Sequence, residues 1–523
     1  MVATALQEER RPGARVSIYG FLLALFVIAL FALQVMTGTP LGFAGMVSLF
    51  CVQTFITIKI LGGPTTLPGA SVGYFAIQHV IFSQVAKGLL LQPATDRMLA
   101  PYTTMQVYNL AIFAIMCAAV VYRIFRVETI KPIFDLELDH RRLNILAIVL
   151  TLFSLYRFYA LQKFGVFEGA GGGVYVGGIV GPLRQFGFLS TLAVAAGTAS
   201  VILKSEGRRC VGIWNALAIV APILYGILSA GRQDSASSII TFVLTLYAFK
   251  FKIKPVHIGF VLVTGYILQF IVFPYSLYAR GEGQVRIGAF EDRIVKAANL
   301  LMEFTFAPKK KTQKLEETNP NLPWSMQRMY YYGSPNSSLD RYSIILSTDN
   351  IVNAVNIKGP KGPDTVFVGF NMILPRFLNQ DKEAIGTSSQ IAHYGDGLIG
   401  ESDFMTGITL GIVPEGYYAY GFGGVFWLPF IISLAYFVVY RILYRSSIFQ
   451  NIYVVSLMFI ASWTFSESTA AGQTLAIIQQ PIYYLVSVLP LLLIAKSLTK
   501  RHKEAKFVYE ADYKPATDTS SQV

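Results

Sequence analysis

The run V16-S-I-Y-G-F-L-L-A-L-F-V-I-A-L-F-A-L-Q-V-M36 contains no charged residue and is apolar almost throughout. A bilayer hydrocarbon core of about 30 Å is crossed by roughly 20 helical residues, so this stretch predicts a membrane span. It is too long for the apolar part of a secretory signal, and no small-residue cleavage site follows it. Eleven further runs of the same character predict spans at 42–61, 69–91, 104–123, 143–162, 185–203, 211–229, 236–250, 255–276, 421–440, 450–466 and 474–495. The eighth and eleventh are the shortest. The composition agrees: 54% of the 523 residues are hydrophobic and only 14% are charged. Soluble domains carry about 25% charged residues, so a soluble globular enzyme and a disordered chain are both excluded. The expected fold class is all-α: a polytopic membrane protein of about 12 transmembrane helices.

The net charge of +13, from 43 Lys and Arg against 30 Asp and Glu, has to be located before it is interpreted. An even number of spans puts both termini on one side. The segments on that side (the N-terminal tail, the loops near Lys59, Arg123–Arg142, Lys204–Arg209, Lys250–Lys254 and Arg441–Arg445, and the C-terminal tail) hold 23 Lys and Arg. The short loops opposite hold four: Arg97, Lys163, Arg184 and Arg232. Basic residues stay on the cytoplasmic side, so both termini are expected there. The excess charge is an orientation signal, and a nucleic-acid partner has no support.

The predicted organisation is a nine-span N-terminal bundle over 1–275, an extracytoplasmic loop subdomain over 276–420, three C-terminal spans over 421–496 and a cytoplasmic tail over 497–523. A connection of roughly 145 residues is uncommon unless it is functional or disordered. This one is not of low complexity. Residues 289–304 place Phe290, Ile294, Ala297, Leu301 and Phe304 at helical spacing. A second helix is expected from Ser337 or Ser338, with Leu339, Tyr342, Ile345 and Leu346 on one face. The loop is therefore read as a large, partly helical subdomain resting on the outer membrane surface.

Few charges fall inside the spans. Lys87 and Arg157 are expected to snorkel to the interface, and Glu467 lies near the outer end of the eleventh span. The scarcity of mid-span acids speaks against an ion-driven carrier. The outer face is richer. Arg232, Arg280, Arg341 and Arg376 stand in or near glycine or proline turns or polar stretches, where a lipid headgroup would lie. A guanidinium binds phosphate bidentately and stays charged, which suits them to diphosphate. The plainer alternative pairs them with neighbours such as Asp234, Glu282 and Asp340. His393, Asp396 and Glu415 are candidates for removing a proton from a sugar hydroxyl. Tyr417, Tyr418, Tyr420 and Phe422 either stack on sugar rings or form an interfacial belt. The glycine run 169–178 lacks the Lys-Ser/Thr of a phosphate loop. Cys51, Cys117 and Cys210 offer neither a disulfide framework nor zinc spacing, and nothing demands a metal.

Three stretches carry a family resemblance: Leu374-Pro375-Arg376 followed by Asp381-Lys382, the entry Glu415-Gly-Tyr417-Tyr-Ala-Tyr-Gly421-Phe-Gly-Gly424 into the next span, and the turn Ala230-Gly231-Arg232. With the many spans and the large late outer loop, they resemble the Wzy-type O-antigen polymerases. These belong to the membrane glycosyltransferases that use polyprenyl-diphosphate-linked glycans. The resemblance implies polymerisation of undecaprenyl-diphosphate-linked repeat units into a surface polysaccharide, at the outer face of the bacterial cytoplasmic membrane. The transfer would invert the anomeric centre and need no metal, nucleotide or other cofactor. It implies that Arg232, Arg280 and Arg376 contact diphosphate, with Arg341 a fourth. Glu415, Asp396 or His393 would serve as base or acceptor-orienting group, and Tyr417 and Tyr420 would meet sugar. Implied partners are the lipid-linked oligosaccharide, membrane lipids and a chain-length regulator. The competing readings are an O-antigen ligase-type transferase, a lipid-linked glycan flippase or transporter, and a non-catalytic scaffold of envelope assembly.

Overall fold

The computed structural model describes residues 12–134, 139–164, 183, 186–272, 275–276, 279, 290–306, 331–332, 343–373, 387–395, 398, 408–444, 447–449 and 451–512. Among them there is no strand, only two isolated bridges, Thr66 to Ser447 and Phe134 to Tyr444. The helices are α1 (Pro12–Met36), α2 (Leu41–Ile60), α3 (Leu67–Ala76), α4 (Phe82–Leu89), α5 (Pro101–Ile124), α6 (His140–Lys163), α7 (Phe188–Lys204), α8 (Ile213–Leu228) and α9 (Arg232–Ala248). They continue with α10 (Pro255–Ile267), α11 (Phe290–Phe306), α12 (Ile345–Lys358), α13 (Asp364–Ile373), α14 (Thr387–Tyr394), α15 (Ile412–Leu443), α16 (Ile452–Glu467) and α17 (Ala470–Asp512). A π-turn, Ile77–Ile81, joins α3 to α4, and a second, Leu268–Val272, extends α10.

By length and composition, six helical stretches are apolar enough to cross a membrane: Leu41–Ile60, Pro101–Ile124, His140–Lys163, Pro255–Val272, Ile412–Leu443 and Ala470–Leu493. Shorter apolar helices cover Gly20–Met36, Phe188–Lys204, Ile213–Leu228 and Ile452–Glu467. The predicted run at 69–91 is helical but broken by its π-turn, and the run at 236–250 overlaps α9, which ends two residues earlier at Ala248. Local chemistry sets several of the starts. Thr66 Oγ1 accepts from the Gly69 amide at 3.2 Å, Asp139 Oδ1 from Arg142 at 2.8 Å, and Asn451 Oδ1 from Tyr453 and Val454 at 3.0 and 3.2 Å. Each such cap supports its helix by about 1 kcal/mol.

Packing follows side-chain size. In α7 nearly every residue is buried, and most are Ala, Gly, Ser or Thr. Small residues let helix backbones approach closely where lipid gives no hydrophobic drive. A Cβ added at Gly197 would stand 2.8 Å from Asn215 Cβ. On this seam α7 packs against α6, α8, α9 and α16, while α5 lies between α2 and α15. The opposite case is the stretch Pro255–Val272, whose apolar window is only 6% buried against protein. Val256, Leu262, Val263, Tyr266 and Phe270 all face outward.

The two ends of the bundle are tied separately. At one end the Ile448 amide donates to Thr65 O (3.1 Å), Phe134 to Leu443 O (2.8 Å) and Lys252 to Gly207 O (3.2 Å). At the other, the Ala94 amide donates to Thr39 Oγ1 (2.9 Å), Tyr331 Oη to Ala94 O (2.5 Å), and Arg293 to Gln162 O. Each of these bonds joins segments that the alternation of predicted spans assigns to one and the same side.

Three expectations are corrected. The second loop helix begins at Ile345, because Ser343 and Ile344 precede it outside the helix; Leu339 and Tyr342 lie outside the described residues. On α11 the inward stripe runs through Arg293 and Ala297, while Ile294 is 40% exposed. Lys87 and Arg157 do not snorkel. Lys87 is fully buried, 3.7 Å from Asp96 Oδ2 and 4.5 Å above the Tyr331 ring. Arg157 is 1% exposed and donates from Nε to Leu183 O at 2.8 Å. Protein groups cover both cations, so neither head group ends in solvent.

Candidate functional site

At the second of these ends, four segments converge on the short turn Glu467–Ala470 between α16 and α17. The π-turn supplies the first. A π-turn inserts an extra residue into a helix and widens it, and such turns recur at functional sites. This one carries Gln78 and His79. Gln78 Nε2 donates to Glu467 Oε1, while Gln78 Oε1 accepts from Ser466 Oγ at 2.8 Å. His79 is wholly buried, with Nε2 2.9 Å from Ser466 O. A carbonyl only accepts, so Nε2 carries the proton. The other ring nitrogen lies 3.1 Å from Tyr108 Oη, which donates to Thr348 Oγ1 at 2.7 Å.

Residues 408–415 supply the second segment. Thr409 Oγ1 donates to Glu467 Oε2 at 3.2 Å. Gly411 has φ +78°, and a Cβ there would lie 2.5 Å from Ser466 O. Only glycine fits this position. Four residues on, Glu415 is fully buried in α15 and its Oε2 accepts from the Ala470 amide at 2.5 Å. That amide is the first of α17, and a carboxylate there meets the positive end of the helix. Thr365 of α13 faces the same carboxyl group.

The third is the start of α9. The turn before it is tight: the Gly231 amide donates to Gly226 O at 2.7 Å, and Ala230 takes φ +52° in a fully buried position. Arg232 follows as the first helical residue, partly exposed, and its charge acts on the Glu467 carboxylate. Trp463, one turn earlier in α16, faces the same carboxylate. The fourth is α14, where Thr387 Oγ1 lies 2.9 Å from Thr469 Oγ1.

Close by, Asp349 of α12 is buried against the start of α5. It accepts from the amides of Leu99 (2.5 Å) and Ala100 (3.0 Å) and from Thr104 Oγ1 (2.8 Å). Asp349 and the Tyr108–Thr348 contact fasten α12 to the bundle. Beside them, Gln84 donates to Tyr331 Oη at 3.3 Å and accepts from Gln34 at 2.8 Å. Burial pushes the Tyr331 phenol well above its ordinary range, with Gln84 opposing, so it stays protonated over Lys87.

Of the sequence-predicted site residues, Arg232 and Glu415 both border the Glu467–Ala470 turn. His393 lies in the last turn of α14, half-buried. Tyr417 is 5% exposed, its hydroxyl donating to Asn356 Oδ1 at 2.7 Å and its ring edge-on to Phe422 at 5.3 Å. Tyr420 is 59% exposed, at a kink it forms with Gly421. Arg280, Arg341, Arg376 and Asp396 lie outside the described residues. Gln78, His79, Asp349 and Thr409 carry no sequence motif. The one available signal was Glu467 itself, an acid at the edge of an apolar run. No family model matches this chain, and neither a curated protein nor a solved structure resembles it to a significant degree.

Proposed function

We propose that this protein is a twelve-span glycosyltransferase of the cytoplasmic membrane, with both termini inside, that polymerises undecaprenyl-diphosphate-linked repeat units at the outer face. The observation that carries this reading is the placement of Arg232. It stands at the first turn of α9, where the positive end of the helix dipole favours an anion. It is also beside a carboxylate, that of Glu467. Loss of a diphosphate needs cationic stabilisation of the leaving group and a group to take the acceptor proton. Both kinds of side chain meet here. The bonding of the two ends in separate sets supports the alternation of spans, and the 23-to-4 distribution of Lys and Arg supports the orientation. The sequence resemblance favours polymerase over ligase.

The test is an assay of the purified protein with lipid-diphosphate-linked oligosaccharide as the sole substrate. A ladder of longer glycans, lost in Arg232→Ala and Arg280→Ala, is the expected result. Long polymer from both variants at normal membrane levels would remove the reading.

A further inference from the structure

Of the acidic groups at this end of the bundle, Glu415 is closed off: it is fully buried and one carboxylate oxygen holds the first amide of α17. Glu467 differs in each respect. It is partly exposed and ends its helix at the loop side of the bundle. Both of its oxygens accept from neutral donors, Gln78 Nε2 on one side and Thr409 Oγ1 on the other. These donors come from a π-turn and from the segment before Gly411, so the carboxylate is held in one orientation by parts of the chain far apart in sequence. Gln78 is itself fixed by Ser466 Oγ, at 2.8 Å. The nearby cation identified for it is Arg232.

We infer that Glu467 is the general base of this site, taking the proton of an acceptor sugar hydroxyl while Arg232 beside it holds the donor's diphosphate. This rests on the polymerase reading. In the step, the acceptor oxygen bonds to the donor's anomeric carbon and the bond from that carbon to the diphosphate oxygen breaks. The electron pair leaves with the lipid diphosphate, and the hydroxyl proton passes to a Glu467 oxygen and then to water. Binding of a diphosphate at Arg232 also draws that cation's field away from Glu467. The carboxylate is then a stronger base when the donor is in place, which ties proton removal to donor binding.

The experiment uses the full chain in lipid nanodiscs with radiolabelled undecaprenyl-diphosphate-linked oligosaccharide, taken from host membranes lacking this protein. Retained lipid and polymer formed are both measured. Glu467→Gln keeps the size and a hydrogen-bonding head group. It is expected to bind lipid within about twofold of the unaltered protein and to lose about 100-fold or more in polymer formation, the usual worth of a general base. Glu467→Asp, which retains a carboxylate, is expected to recover part of the rate. Polymer from Glu467→Gln within about threefold of normal overturns the inference. So does loss of lipid binding in that variant, or equal loss of rate in both variants, since either marks a structural role. If the unaltered protein leaves the oligosaccharide unextended, the polymerase reading itself fails and takes the inference with it.

Discussion

Asp349 and Thr104 lie 245 positions apart in sequence and 2.8 Å apart in the fold. Ala100, which precedes α5, offers no side-chain cap of its own. Asp349 fills that role from α12, taking the amides of Leu99 and Ala100. The start of a buried helix is thus completed by α12, and the two helices are stabilised together.

Replacing Asp349 should therefore loosen both. Hydrogen bonds to a charged group are worth about 1.5–3 kcal/mol each, less where the removed group is not left buried alone. Asp349→Ala is expected to cost about 3 kcal/mol or more and Asp349→Asn less. Thermal unfolding in detergent, with limited proteolysis between residues 276 and 420, measures both effects.

Gly411→Ala meets two obstacles, a left-handed backbone and a carbonyl 2.5 Å from the new Cβ. A cost of about 1–3 kcal/mol is expected. Because Thr409 sits two residues away, the same change should pull its hydroxyl from Glu467. Activity is then expected to fall further than the unfolding temperature alone explains, which paired assays would reveal.

For Glu415 the structure predicts a split between two substitutions. Glu415→Gln still offers an oxygen to the Ala470 amide and should keep most of the stability. Glu415→Ala leaves that amide uncapped and should cost about 1–2 kcal/mol. Unfolding midpoints of the two variants decide it: equal losses would rule out the capping role.

Lys87 is expected to be intolerant of truncation. Lys87→Ala removes a buried cation from above the Tyr331 ring and leaves Asp96, half exposed, facing a cavity. Breaking a buried pair costs about 3–5 kcal/mol, and the exposure of Asp96 places this one toward the lower end. Expression level and melting temperature in detergent are the readouts.

Orientation has its own test. Single cysteines at Gln92 or Lys361 should react with a membrane-impermeant maleimide on intact cells. Cysteines at Lys131 or Lys252 should react only after permeabilisation. Labelling in the opposite order would reverse the topology.

The helices were legible in the sequence because a membrane span must satisfy its backbone internally and be apolar along its length. Both constraints act over a single run of residues. Arg232 and Glu415 were legible as candidates because turn glycines and an isolated acid mark local positions. The Gln78–Glu467–Thr409 constellation was not, since it joins residues up to 389 positions apart and no local pattern links Gln78 to an acid in another helix. Snorkelling of Lys87 failed as an expectation for the same reason. Its partner Tyr331 comes from a distant segment, and no local pattern announces that a ring will cover it.

Pro255–Val272 is apolar enough to cross a membrane, and it has so little protein around it that lipid would be its main source of mechanical support. Its tilt should then answer to acyl-chain length, leaning in thin bilayers and standing upright in thick ones.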